Sequence, residues 1–251
     1  MRITLVYCLL HMGKDIPPFD FSDSVDAQIG EASELDSIES NLSLWLDAGN
    51  IDFEYNATLS DGDAISTWQD LSGNGNSFYQ SSDSIKPALS DNVINGKPEV
   101  NFTSDYLSAN TGILSNEFSL FIILRPTSFS TEDVFFEQYN ISNSNRLHMA
   151  FRSSGKFNYF YGGTQYPLES MTAQSGSTYL YAITDDSTES KMYINGEHML
   201  DLGNSAPDSS IVSSIGAVSS FDTNYFKGGI AEIIIFDTKL SNSERAKINY
   251  Y

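Results

Sequence analysis

A succession of short apolar or alternating runs constrains this chain more than any other feature. They lie at 42–46, 97–103, 118–125, 133–139, 146–152, 156–162, 177–184, 190–194, 197–202, 211–217 and 229–236, separated by clusters of Gly, Asn, Asp and Ser. Many short strands at this spacing build an antiparallel sandwich or barrel, not a parallel α/β sheet. Asn195-Gly196, between Lys191–Ile194 and Glu197–Leu202, predicts a type I′ hairpin, whose two central residues both need positive φ. The one helix expected comes at the end, where Ser241 and Glu244 have the spacing of a capping box. A 251-residue chain is compatible with a single all-β domain.

The hairpin over Arg146 to Gly162 carries the most functional information. Ser153-Ser154-Gly155 suits a three-residue loop with Gly155 left-handed, which sets 151 opposite 157, 149 opposite 159 and 147 opposite 161. One face then holds Leu147, Met149, Phe151, Phe157, Tyr159 and Tyr161, a core face; a slip by one residue would mix apolar and polar residues on both faces. The other face carries Arg146, His148, Ala150, Arg152, Lys156, Asn158 and Phe160. Arginine forks match carboxylate or sulfate. Asn158 and His148 offer donors and acceptors to hydroxyls, and Phe160 offers a ring to a sugar face. This makes Arg146, His148, Arg152, Asn158 and Phe160 candidate carbohydrate-binding residues. The alternative is a solvated face whose bases offset Glu132, Asp133 and Glu137.

Four stretches in order carry a family resemblance. They are Leu44-Trp45-Leu46-Asp47, the run Trp68 to Asn76 (WQDLSGNGN), the run Asn95 to Phe102 (NGKPEVNF), and Gly228 to Asp237 followed by Leu240 to Arg245. From about Leu42 to the end, the chain resembles the laminin G-like, concanavalin A-like lectin/glucanase jelly-roll modules of secreted bacterial and phage proteins. The resemblance implies an all-β jelly-roll sandwich of two antiparallel sheets with a short C-terminal helix, preceded here by an extended N-terminal arm. The division expected is arm or linker over 1–40 and jelly roll over 41–251. The resemblance also implies binding at a surface. In related jelly rolls an acid near Glu232 helps to hold a structural calcium ion, which makes Glu232 the metal candidate and calcium the one cofactor to consider. Each stretch also has a structural reading: Trp45 and Trp68 as core anchors, and Asp70 to Asn76 as a tight turn rather than a calcium loop.

Residues 1–40 have a different character. Ile3 to Leu10 form an apolar run behind Met1-Arg2, in outline a short signal peptide but without a small-residue cleavage site, and too short to span a bilayer. We read this run as an apolar strand or arm. Eight acids and no Lys or Arg follow between Asp15 and Glu39, as in a tether with little core of its own. An apolar tip on such a tether suits docking onto its own domain or onto an assembly partner; the alternative is a solvated leader.

Function classes narrow accordingly. With 33 acids against 13 bases, a net charge of −20 argues against nucleic acid. The single Cys8 allows no intrachain disulfide. A glycosidase needs two carboxylates facing each other across the scissile bond. The Glu-x-Asp-x-Glu string of related hydrolases is missing, as are Gly-x-Ser-x-Gly and His-Glu-x-x-His. The expectation is a non-catalytic binding module, extracellular or on a virion surface, for carbohydrate recognition or adhesion, its partner a glycan or anionic polysaccharide, either on its own or as a decoration component of a larger particle. The alternatives are a purely structural phage head or tail protein docked through 1–40, and a glycoside hydrolase.

Overall fold

The computed structural model describes residues 38, 40–139, 146–161, 164–186, 188–202, 212–218 and 223–249. Apart from Ile38 and Ser40, the arm expected over 1–40 lies outside them, as does Cys8. Two eight-stranded antiparallel sheets pack face to face. The first half of the chain supplies β1 (Leu42–Asp47), β2 (Thr67–Trp68), β3 (Phe78–Tyr79), β4 (Ala88–Ile94), β5 (Lys97–Phe102), β6 (Leu107–Ala109), β7 (Phe118–Pro126) and β8 (Glu132–Tyr139). The second half supplies β9 (Arg146–Arg152), β10 (Phe157–Tyr161), β11 (Thr164–Pro167), β12 (Tyr179–Asp185), β13 (Ser190–Ile194), β14 (Glu197–Leu202), β15 (Val212–Ile215), β16 (Gly228–Phe236) and the helix α1 (Asn242–Asn249).

The first sheet runs β14-β13-β12-β7-β16-β5-β4, with β1 also beside β16; the second runs β11-β10-β9-β8-β15-β6-β3-β2. Neighbours far apart in sequence, such as β1 with β16, give the jelly-roll winding. Between the sheets lies a core that includes Trp68, Phe102, Phe135, Phe151, Phe157, Tyr181 and Phe226, all fully buried. Burying one such side chain contributes roughly 1.5–3 kcal/mol.

The central strand β16 is apolar on both faces because both are covered. Ile230, Ile233 and Ile235 enter the main core, while Ile234 and Phe236 join Trp45, Phe121, Tyr193 and Ile248 in a second cluster under α1. Ser241 and Glu244 form the expected capping box: the Glu244 carboxylate accepts from the Ser241 N–H at 2.7 Å, and the Ser241 hydroxyl accepts from the Glu244 N–H. Asn195 and Gly196 have φ of 51° and 84°, as a type I′ turn requires.

The strands β2, β3, β6 and β11, of two to four residues, fall outside the sequence runs because they are too short to show a period. The seven-residue β4 escapes for another reason. Its alternation breaks at a register shift between Ser90 and Ile94, around Asn92 with φ of 58°.

Candidate functional site

Strands β9 and β10 pair in the expected register, with Phe157 opposite Phe151, Tyr159 opposite Met149 and Tyr161 opposite Leu147. Gly155 (φ 77°) closes the loop through its N–H to the Arg152 carbonyl at 2.7 Å. A Cβ there would lie 2.8 Å from the Ala173 carbonyl, so the position needs glycine twice over. Leu147, Met149, Phe151, Phe157 and Tyr159 are buried between the sheets.

The opposite face gathers all five candidate carbohydrate-binding residues, but not as a free basic patch. Strand β8 lies alongside and sets Glu137 opposite His148 and Glu132 opposite Arg152. The Arg146 guanidinium meets the buried Glu137 carboxylate at 2.7 Å and lies over the Tyr139 ring. His148 Nε2 lies 3.2 Å from Glu132 Oε1. That hydrogen bond, with burial opposing it, holds the Glu132 carboxyl below its ordinary range. Asn224 donates to the second Glu132 oxygen, and Arg152 donates to Gln165 on β11. Lys156 pairs with Glu169. Of the acids weighed against these bases, Glu132 and Glu137 do offset them; Asp133 turns away and accepts from the Ser130 backbone and hydroxyl.

What this face offers a ligand is therefore mostly neutral. The rings of His148 and Phe160, partners across the β9–β10 ladder, stack with centroids 4.5 Å apart and planes 4° from parallel. Phe160 and Arg152 remain half-buried, and Gln165 is exposed. The Asn158 carboxamide is fully buried, yet neither its nitrogen nor its oxygen meets a protein partner. Sequence reasoning missed Gln165, which lies outside every apolar run. It also missed Phe53 and Tyr55, exposed rings on a loop where both residues take positive φ; unlike Asn-Gly, an aromatic residue carries no sequence signal for that conformation.

Glu232 occupies a second place of interest. The pairing of β1 with β16 sets it opposite Asp47, and the Trp45 indole N–H donates to its Oε1 at 2.8 Å. Burial and the neighbouring Asp47 charge push the Glu232 carboxyl up to about 8, against the lowering effect of the indole bond. Calcium takes six to eight oxygens. Asp47 is the acid that the strand pairing sets opposite Glu232, and no group of three His, Cys, Asp or Glu converges among the described residues. Glu232 instead lines a cavity of about 310 Å³ between β7, β12, β16 and α1, whose walls include Phe121, Ile123, Leu180 and Ile248.

The remaining resemblance residues hold the fold together. Asp70 Oδ1 accepts from the backbone N–H of Trp45 and Ser72, and Oδ2 from that of Asn76, which ties the loop to β1. Asn74 and Asn76 donate to the Leu42 and Ser43 carbonyls. Glu99 forms a two-pronged ion pair with Arg125. Gly229 sits against that pair so closely that a Cβ would overlap the Glu99 carboxylate.

Fold and motifs together define a lectin-type jelly roll. Residues 101–244 match the family model of the concanavalin A-like lectin/glucanases superfamily, and the chain belongs to that family. No curated protein matches the sequence. Among solved structures the chain is similar to domain 4 of AbnA, a GH43 extracellular arabinanase from Geobacillus stearothermophilus, solved in complex with arabinotriose. The TM-score is 0.60 at 16% identity, over 83% of this chain and 98% of that one. It is also similar to a Trypanosoma rangeli sialidase in complex with sialic acid (TM-score 0.59, 10% identity, 84% of this chain), of which it spans only 33%. At these identities the likeness is one of fold. Among the described residues no helix is long and apolar enough to cross a membrane.

Proposed function

We propose that this protein is a non-catalytic glycan-binding module displayed at a cell or particle surface, and that its ligand lies across the outer face of β9, β10 and β11. The observation that carries this reading is the parallel His148–Phe160 stack. It leaves the far side of the Phe160 ring for the apolar face of a sugar, with Arg152 and Gln165 beside it to bond hydroxyls. Because Arg146 and His148 already face Glu137 and Glu132, the ligand favoured is a hydroxyl-rich saccharide rather than a highly charged one. The similarity to a whole domain solved with arabinotriose supports a saccharide without naming it.

A glycan array with the full chain tests this. Binding to a defined saccharide class, lost in Phe160→Ala and Arg152→Ala while the melting temperature stays within a few degrees, is the expected result. A blank array, or binding indifferent to both substitutions, would refute the site.

A further inference from the structure

The cavity beneath α1 lies on the outer face of the other sheet and owes nothing to the saccharide reading. Its walls are mixed: Phe121 and Ile123 from β7, Leu180 from β12 and Ile248 from α1 supply apolar surface, and Thr178, Glu232 and two asparagines supply nearly as much polar surface. Two Asn-Gly turns border it. Asn95 (φ 50°) tips the β4–β5 hairpin and Asn195 (φ 51°) the β13–β14 hairpin. Asn195 is held in place, its side-chain oxygen accepting from the Leu180 N–H at 2.9 Å and its own N–H donating to the Leu180 carbonyl. The Arg245 guanidinium of α1 is occupied nearby, lying over the Tyr193 ring at 3.7 Å and donating to the Gly196 carbonyl.

The acid on this cavity is Glu232. One carboxyl oxygen is bonded to the Trp45 indole, Asp47 lies directly across the strand pair, and the Asp47 charge repels its ionised form. Once Glu232 ionises, above about pH 8, two carboxylates on adjacent strands face each other, Asp47 already accepting from the Gly49 N–H, and a single positive charge at the cavity would relieve their repulsion. An engineered apolar cavity of about 150 Å³ holds benzene. A volume of about 310 Å³ therefore takes a ring with a short chain. It also falls within the size range of small-ligand sites, which combine apolar walls with a few placed polar groups.

We propose that this cavity is a binding site for a small apolar amine, its ring or chain against Phe121, Ile123, Leu180 and Ile248 and its ammonium group on Glu232 with Asp47 behind it. A neutral ligand of the same shape gains a hydrogen bond from the carboxyl pair but no charge attraction, and an anion is repelled, so charge sets the selectivity.

Isothermal titration of the full chain at about pH 9, where Glu232 is ionised and an alkylammonium keeps its proton, with phenethylamine and with phenethyl alcohol as its neutral counterpart, tests the assignment. Saturable amine binding at millimolar concentration, with the alcohol about tenfold weaker or more, is expected. Glu232→Gln keeps an acceptor for the Trp45 indole and should weaken the amine about tenfold while leaving the alcohol unchanged. Ile123→Trp, at a half-buried wall position, should fill the space and abolish both. Absence of amine binding to the wild-type chain would overturn the proposal, as would equal affinity for the alcohol or amine binding that survives Ile123→Trp. If Glu232→Gln does not fold, the amine–alcohol comparison and Ile123→Trp still decide. None of these results bears on the saccharide face, which lies on the opposite sheet.

Discussion

Substituting Glu232 by glutamine should change how the stability of the protein depends on pH. In the folded chain burial and Asp47 hold the Glu232 carboxyl at about 8, against an ordinary value of 4.5. Between those two values the folded state keeps a proton that the unfolded chain releases. Folding is therefore favoured most at the acid end of the window, and stability is lost as pH rises from about 4.5 to about 8. At about 1.36 kcal/mol per pH unit, the gap sets a ceiling of roughly 5 kcal/mol. Glu232 is partly exposed at the cavity, where water screens its charge, so an effect of about 2 kcal/mol is the working value.

Glutamine preserves the acceptor for the Trp45 indole and cannot ionise. The variant should match the wild type near pH 5 and exceed it by about 2 kcal/mol near pH 9. Urea unfolding across this range, followed by tryptophan fluorescence, measures the difference. The carboxyls that Lys239 and His148 pull down, Asp186 and Glu132, titrate below the window and are common to both proteins, so they cancel. Stability curves that run parallel from pH 5 to pH 9 would refute the placement of Glu232 as a neutral acid against Asp47.

Two further perturbations address the remaining motif residues. Asp70→Ala removes the acceptor for three backbone N–H groups and should destabilise by roughly 3–5 kcal/mol in urea unfolding, with Asp70→Asn milder; a loss under about 1 kcal/mol would show that the loop does not depend on this carboxylate. From the two-carboxyl donor set at Glu232, the melting temperature should not move on adding EDTA. A fall of about 2–4 °C or more, equivalent to about 1 kcal/mol for a chain of this size, would establish a structural metal.

Much of the architecture is legible in the sequence because it is decided locally. Period-two patterning places the strands, Asn195-Gly196 and Ser153 to Gly155 close their hairpins in one register, and Ser241 with Glu244 caps α1. The resemblance motifs are legible as a family mark, but the tertiary structure shows what they join: Asp70 ties its loop to β1, Trp45 bonds Glu232, and Glu99 pairs with Arg125 against Gly229. The candidate face was legible as a set of residues and not as a charge state. Whether Arg146 and His148 are free depends on which strand lies beside β9, and β8 brings carboxylates to meet both.

The same limit governs Glu232. Its neutrality and the cavity beside it arise because β1 pairs with β16 across nearly the whole domain and α1 folds back over the sheet. A sequence determines the face on which a side chain will sit, since alternation is a property of a single strand. Which groups meet on that face depends on strand order, and that is settled only by the packing of the whole sandwich.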